Sequence, residues 1–275
     1  MGHPSGRPFG AYDRGESADQ EQSGRRMFPL LFGRLDRLNA AIPVHLASGS
    51  RMDTDNHLSN PYALSNHLDQ LLAVATDHLG ATRLFLEGVG GVPAFALYSV
   101  LRSAIEASCA GLWLLLHSKQ KTRTERLLSF TWANRQDAEG FARRFGKGAP
   151  TKLESVRASL NEVKGRQKSL QQFDFEAKRL TSTTDMMIEV QKKLKTEPTL
   201  TALVAWSLCS GVAHANSYTI IATHERRQID EGDELGARYE LTSSMSTLAM
   251  VFESALFYTE TLVAEYQAAA KPPGR

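Results

Sequence analysis

The chain has 275 residues, and 42% of them are apolar, so it is long enough for one large domain or two small ones with a substantial core. Its net charge of +2 hides an asymmetry, because residues 119–195 carry a net charge of +9 and residues 196–275 one of −5. The basic segment is suited to an anionic partner such as RNA or DNA, or it covers an acidic segment of the same fold or of a dimer. We find no uncharged apolar run of the roughly 18 residues that a membrane span needs, so no membrane association is expected.

Cysteine usage indicates a reducing compartment. Cys109 and Cys209 each lie within an apolar helical run and are expected to be buried free thiols in a cytoplasmic protein. No spacing of cysteine and histidine matches a metal site, so neither a metal nor another cofactor is expected.

The first 58 residues are expected to form a disordered tail. Residues 1–26 are rich in Gly, Pro, Ser and charge. Three charged residues interrupt the apolar stretch 27–46, which is therefore predicted to be a short amphipathic helix or unstructured. Because little before Asn60 looks foldable, we expect the true start to be one of three methionines: Met1, Met27 or Met52.

Apolar periodicity predicts an all-α fold: a bundle of about six or seven helices that forms a single domain over residues 59–270. The charged helices between about residues 147 and 196 are predicted to form an exposed basic arm. Two β-prone stretches within residues 218–241 predict a small β-hairpin. The predicted helices cover about residues 61–87, 93–117, 122–145, 151–171, 183–195, 198–214 and 242–268.

The last predicted helix carries apolar or small residues at alternating spacings of four and three. This pattern is typical of a bundle seam or of a dimer interface, and it makes a homodimer through the C-terminal helix a candidate assembly. The repeat begins at Leu241 and continues through Met245, Leu248, Phe252, Ala255, Thr259, Leu262 and Tyr266.

Two polar pairs with i,i+4 spacing stand out within apolar helices. Arg102 and Glu106 are the only charged residues between Gly88 and Ser118, and Ser210 and His214 close another apolar run. Each pair points its two side chains the same way. The helix around Arg102 has no solvated face, so we expect both pairs to be buried, where they either satisfy each other or form a site.

Each pair has a structural and a functional interpretation. Arg102 and Glu106 form either an intrahelical ion pair that orients two helices, or an anion site in which Arg102 binds a phosphate or carboxylate and Glu106 orients it or acts as a base. His214 is either a core histidine bonded to Ser210 or Glu106, or a general acid/base. A Ser210–His214 nucleophile pair is disfavoured because Ser210 lies within a helix and lacks a nucleophile elbow.

A third group of residues has the composition of a nucleic-acid-binding face. Arg123, Arg126 and Arg135 surround Trp132 in sequence, and a tryptophan can stack on a base with cationic support. A solvated helix face explains the same residues equally well.

Two short strings resemble a known family. The first string is Leu101-Arg-Ser-Ala-Ile-Glu106, which is followed by Trp113-Leu-Leu and by Arg123 and Arg126. The second is Ser210-Gly-Val-Ala-His214-Ala. Together they resemble uncharacterised prokaryotic helical proteins related to the HEPN superfamily (higher eukaryotes and prokaryotes nucleotide-binding domains). The predicted order of secondary-structure elements resembles that family over residues 60–266, but the amino-acid sequence resembles it only in these motifs. It implies an all-α, often dimeric bundle, and active members are metal-independent ribonucleases of defence and toxin–antitoxin systems.

The chain departs from the HEPN signature in one respect. The resemblance implies an Arg four to six intervening residues before the His of the same helix, and here Ser207, Leu208 and Cys209 occupy those positions. We expect Arg102 from another helix to replace it, with His214 as the acid/base and Arg102 stabilising the scissile phosphate. The resulting hypothesis is an RNA- or nucleotide-binding protein, with a metal-independent ribonuclease as its catalytic version. The alternatives are a non-enzymatic interaction or regulatory protein with a structural polar cluster, and a bundle with a pocket for an acidic ligand.

Overall fold

The computed structural model describes residues 12, 13, 16–88, 92–146, 152–229 and 238–272. In this part of the chain the fold is mostly helical, with ten α-helices, one 3-10 helix and a small antiparallel sheet. The helices are α1 (Ala18–Ala40), α2 (Arg51–Ser59), α3 (Leu64–Gly88), α4 (Ala96–Leu115), α5 (Gln120–Arg144), α6 (Leu153–Gly165), a 3-10 helix (Lys168–Leu170), α7 (Thr183–Gln191), α8 (Ala202–Ala213), α9 (Ser217–Thr223) and α10 (Met245–Ala270).

The predominantly helical prediction is confirmed, but the predicted count of six or seven helices is too low for the described residues. Helices α2 and α9 lie where the sequence predicted a tail or a strand, and α1 lies within the predicted tail, partly in the stretch 27–46 that was predicted to be a short amphipathic helix or unstructured. The other elements end within a few residues of their predicted bounds, apart from the stretch after α6, which is irregular.

The chain divides into two compact units, each assembled from three segments. One consists of residues 1–40, 74–108 and 195–260, and the other of residues 41–73, 109–194 and 261–275. We call them the first and the second unit. The single domain predicted over residues 59–270 stays a prediction.

The predicted tail of residues 1–58 needs correction from residue 18 onward. Helix α1 buries one face, and its charged residues lie on the other, so the amphipathic-helix alternative predicted for residues 27–46 is confirmed up to residue 40. The N-terminal part of the tail, residues 1–11, 14 and 15, lies outside the described residues. The buried face of α1 consists of Gly24, Phe28, Leu31, Phe32, Leu35 and Leu38.

Helix α1 is attached to the first unit by close packing and by charge. A Cβ atom added at Gly24 would lie 2.6 Å from backbone atoms of Met245 and Ser246 at the start of α10, so only glycine fits there. Ten residues further on, Arg34 donates from Nε to Glu260 Oε1 at 3.1 Å and from Nη2 to the second carboxylate oxygen. These contacts place α1 in the folded core.

The small sheet has strands β1 (Tyr12–Asp13), β2 (His224–Gln228) and β3 (Tyr239–Ser243). β2 pairs antiparallel with β3, with His224 opposite Ser243, and β1 pairs antiparallel with the other edge of β2. A hairpin was predicted here, but its first strand was placed too early: residues 217–223 form α9. The side chain of Asn216 accepts a hydrogen bond from the Thr219 backbone N–H, and this N-cap favours a helix despite the β-branched residues that follow.

The segment predicted as an exposed basic arm, about residues 147–196, is packed onto α5 from α6 onward, and its first residues, 147–151, are not described. Its apolar residues join those of α5 in one buried cluster, while its many charges stay outside it. This placement corrects the prediction, since a thin apolar stripe was sufficient to dock the segment. The cluster consists of Leu128, Trp132, Leu160, Val163, Leu170 and Phe175.

The repeat predicted along the C-terminal helix is buried within the chain. From Met245 to Tyr266 every one of its members is at most 5% exposed. A homodimer through this face therefore has no free surface in the described structure, and the bundle interpretation of the repeat is the one that the burial favours.

The state of the two cysteines and the presence of membrane-spanning segments were both predicted from the sequence. Cys109 and Cys209 are both buried and free, as predicted, and burial raises the pKa of Cys209 to about 12. None of the helices in the described ranges has the length and apolar character needed to cross a membrane.

Candidate functional site

Arg102, Glu106 and Trp206 form one polar cluster in the first unit. The Nε of Arg102 donates to Glu106 Oε1 at 3.0 Å, and the indole Nε1 of Trp206 donates to the same oxygen. The guanidinium carbon of Arg102 lies 5.3 Å from the centre of the Trp206 ring, within the range of a cation–π contact. The cluster therefore joins α4 to α8.

The cluster is half-exposed, whereas the sequence predicted that it would be buried. The side chains of Arg102 and Glu106 are 27% and 34% exposed, so α4 does have a solvated strip. In the described part of the chain, the two terminal nitrogens of Arg102 have no hydrogen-bond acceptor. The Arg102 charge also favours the thiolate of Cys209, partly opposing the effect of burial on that pKa, so a charged group stands close to the α8 core.

Ser210 and His214 do not join this cluster. Ser210 is half-buried, and His214 is the exposed C-cap residue of α8, where its backbone N–H donates to Ser210 O at 3.0 Å. Within the described residues, neither side chain makes a hydrogen bond or ion pair with Arg102 or Glu106. The expected meeting of all four side chains is therefore not observed.

Their positions on α8 nevertheless relate Ser210 and His214 to Trp206. The three residues follow one another at intervals of four, so each lies about 40° around the helix from the one before and about 6 Å further along its axis. His214 is thus about 12 Å along the α8 axis from Trp206 and about 80° around the helix from it.

Arg123 belongs to the interior of the second unit. It is 3% exposed, and its Nε and Nη2 donate to the two carboxylate oxygens of Asp55 at 2.7 and 2.9 Å. Its Nη1 donates to the carbonyl oxygens of His117 and Ser118, just after α4 ends. The predicted nucleic-acid-binding role would need a donor of this guanidinium to be free, and every one of its nitrogens is engaged.

Arg126 is also largely held by the protein. Its guanidinium lies 4.6 Å from the centre of the Trp113 ring, and it donates to the Trp113 carbonyl and to Glu189 Oε2. The same carboxylate oxygen accepts from the indole of Trp113 at 3.2 Å. Burial lowers the pKa of Arg126, and the charge of Glu189 acts in the opposite direction.

The remaining two residues of the predicted nucleic-acid-binding face, Trp132 and Arg135, differ in their exposure to solvent. Trp132 is 3% exposed and packs edge-on against Phe175, with Arg157 over its ring at 5.3 Å. A base has no open face of this indole on which to stack. Arg135 is half-buried, and its Nε has no hydrogen-bond partner in the described structure.

Two residues that sequence analysis did not single out complete these clusters. Asp55 and Glu189 lie 68 and 63 residues from the arginines that they bind. No local spacing signals such pairs. Each is an acidic residue on a helix of nine residues.

The described residues contain no group of three or more His, Cys, Asp or Glu side chains that could hold a metal ion. Comparisons with protein-family models, with curated proteins and with solved structures give no match to this chain. The fold and its polar clusters therefore define the class, a mostly helical protein with a small antiparallel sheet and a half-exposed arginine–tryptophan cluster.

Proposed function

We propose that the protein binds RNA or a nucleotide through the Arg102–Trp206 surface, as the HEPN resemblance implies. The observation that carries the proposal is the Arg102 guanidinium, which lies over an indole, is oriented by Glu106, and keeps its two terminal nitrogens without a protein acceptor in the described structure. Such a group offers a planar face to a base and paired donors to a phosphate.

Glu106 gives the arginine a fixed orientation. It accepts from both Arg102 and Trp206, so the guanidinium and the indole are held in one geometry before a ligand arrives. Preorganisation of this kind reduces the entropy lost on binding. Ser210 and His214 extend the same side of α8 and supply further hydrogen-bonding groups along the path of a nucleic-acid strand.

Binding is favoured over cleavage by the distance along α8. Cleavage with Arg102 stabilising a phosphate and His214 transferring a proton needs both groups within hydrogen-bond reach of one phosphodiester. His214 lies about 12 Å along the α8 axis from Trp206, the residue under the Arg102 guanidinium, and in the described structure its side chain makes no hydrogen bond or ion pair with Arg102 or Glu106. The ribonuclease version of the proposal therefore needs one phosphodiester that reaches both Arg102 and His214.

The binding proposal is tested by electrophoretic mobility shifts of a single-stranded RNA with wild-type protein and the Arg102→Ala variant. We expect Arg102→Ala to weaken binding about tenfold, since stacking and a charge-assisted hydrogen bond are lost. Arg26→Ala is the matched control, because Arg26 is an exposed arginine of the same unit outside the cluster. Equal effects of the two substitutions would refute the proposal.

The ribonuclease version has its own test. Purified wild-type protein is incubated with RNA in the presence of a metal chelator, beside the His214→Ala variant. Cleavage that requires His214 supports catalysis, and cleavage that survives in His214→Ala excludes this residue as the acid/base.

A second candidate is a non-enzymatic interaction protein in which the cluster is structural. It is favoured by the two hydrogen bonds that Glu106 accepts, one from each of two helices. In that case Glu106→Ala should lower the melting temperature while Arg102→Ala leaves RNA binding unchanged. The half-exposure of the cluster favours the binding proposal over this one.

A further inference from the structure

A small polar cavity of about 120 Å³ lies in the second unit, bounded by α5, by α7 and by the segment that leads into α7. Arg126 and Ser129 line it from α5, Lys178 and Arg179 from the segment before α7, and Glu189 from α7. A single buried water needs only about 10–15 Å³ of such volume, so the cavity has room for a small polyatomic ion.

Ser129 gives the first reason to expect a ligand in this cavity. Its side chain is 5% exposed, and its hydroxyl has no hydrogen-bond partner in the described structure. An isolated buried hydroxyl is costly, and native proteins leave few of them. This hydroxyl belongs to a residue in the wall of the cavity and has no protein partner in the described structure, so it is available to donate to a bound group.

The charges around the cavity give the second reason. Glu189 is already paired with Arg126, and Glu125, the other acidic lining residue, lies 3.7 Å from Lys121. Among the described residues, neither Lys178 nor Arg179 has a carboxylate partner, and the Lys178 ammonium instead lies 5.4 Å from the centre of the Phe173 ring. Two exposed cations at the edge of the cavity can therefore pair with an anion from outside the protein.

We propose that this cavity binds the phosphoryl group of a phosphate monoester or of inorganic phosphate. The exposed Lys178 and Arg179 supply positive charge, and Ser129 supplies a hydroxyl donor. Arg126 contributes its Nε, which has no hydrogen-bond acceptor among the described residues. Thr122 and Thr181 add two hydroxyl groups to the lining. The combination of guanidinium, ammonium and hydroxyl donors is the usual chemistry of phosphoryl recognition.

The site is separate from the Arg102–Trp206 surface and does not depend on it. Its residues all belong to the second unit, whereas Arg102, Glu106 and Trp206 belong to the first. Loss of RNA binding in the Arg102→Ala variant would leave phosphate binding at the cavity unchanged. The two proposals are therefore tested by different measurements.

The test is isothermal titration calorimetry of the full chain with inorganic phosphate and, in a second arm, with a nucleoside monophosphate. We expect saturable binding of one phosphoryl group per chain. Arg179→Ala should weaken it about tenfold through loss of a charge-assisted hydrogen bond. Arg144→Ala is the matched control, because it removes an exposed arginine of the same unit that does not line the cavity.

Ser129→Ala separates a binding role from a structural one. It removes an unpartnered hydroxyl, so the melting temperature should stay the same or rise while phosphate affinity falls several-fold. Tighter binding of the monophosphate than of inorganic phosphate identifies a monoester as the ligand, and the reverse order identifies the free ion. Absence of saturable binding, or equal affinities for Arg179→Ala, Ser129→Ala and Arg144→Ala, would overturn the proposal.

Discussion

Arg123 and Asp55 form a two-point ion pair in which each side chain is only 4% exposed. The remaining terminal nitrogen of Arg123 donates to two backbone carbonyls that follow α4. The charge is thus neutralised and its donors are engaged, which is the condition under which a buried ion is tolerated. The pair links α2 to α5.

Removing one partner of this pair should be strongly destabilising. We expect Asp55→Ala to lower the free energy of unfolding by about 3–5 kcal/mol, because Arg123 is left as an uncompensated buried charge. Asp36→Ala is the matched control, since Asp36 is 61% exposed in its ion pair with Arg83, and exposed pairs contribute at most about 1 kcal/mol. Urea denaturation of both variants measures the difference. Similar losses for the two would show that Arg123 is not held as described.

Glycine substitutions test whether α1 is packed as the structure has it. Gly24→Ala forces a Cβ to within 2.6 Å of the backbone of α10, which cannot yield as a flexible side chain can, so we expect a loss of about 1–3 kcal/mol or more. Gly80→Ala, inside α3 with nothing within 4 Å, should instead stabilise by about 0.5–1 kcal/mol through helix propensity. Thermal unfolding followed by circular dichroism distinguishes them. A Gly24→Ala variant as stable as wild type would argue against docking of α1.

Two tryptophans should respond differently to replacement by phenylalanine. Trp132 has a buried indole N–H with no partner, so Trp132→Phe relieves an unsatisfied donor while it leaves a small cavity, and we expect a net change below about 1 kcal/mol. Trp113→Phe loses the hydrogen bond to Glu189 and should cost about 1.5–3 kcal/mol. Denaturant melts of the two variants provide the comparison, and the reverse order would contradict these hydrogen-bond assignments.

His224 should make stability depend on pH. It is 2% exposed, beside Phe95 and Tyr98, and burial lowers its pKa below the ordinary 6.5, while the carbonyls of Ala94 and Ile220 act less strongly in the opposite direction.

The unfolded chain therefore binds a proton before the folded chain does. Stability is fully present above about pH 6.5 and falls as the pH drops below it, by up to about 1.4 kcal/mol per unit, until the folded ring is protonated. Measured between pH 5 and 8, His224→Gln should flatten this slope, although His67, whose pKa burial also lowers, retains a contribution. The substitution of the exposed His45 by Gln is the matched control. An unchanged slope in His224→Gln would rule out His224 as its origin.

Sequence periodicity was sufficient to predict the helices with strong apolar stripes, and it failed where another signal decided the conformation. Residues 218–223 have the β-branched composition of a strand, yet the cap that Asn216 supplies makes them helical. In α1, Pro29 and several charges concealed a continuous buried face. Local composition is a weak guide when tertiary packing uses only one side of a helix.

The candidate site was predictable only in part for a related reason. The spacing of Arg102 and Glu106 predicted their ion pair, because i,i+4 neighbours on a helix meet regardless of the rest of the fold. Their exposure, and the contact with Trp206 one hundred residues away, depend on which helices pack together. The same holds for Arg123, whose burial follows from a distant aspartate rather than from its own neighbourhood.

Each of the three tryptophans in the sequence lies beneath an arginine: Trp113 beneath Arg126, Trp132 beneath Arg157 and Trp206 beneath Arg102. The tryptophan fluorescence of the protein, excited selectively beside its seven tyrosines, is therefore a sum of three emitters, each next to a different cation. Single-tryptophan variants would turn these emitters into separate optical reporters, with Trp132 sensing the interior, Trp113 the cavity beside α7 and Trp206 the half-exposed surface. A ligand that withdraws one guanidinium would shift the emission of one indole and leave the other two spectra as they were.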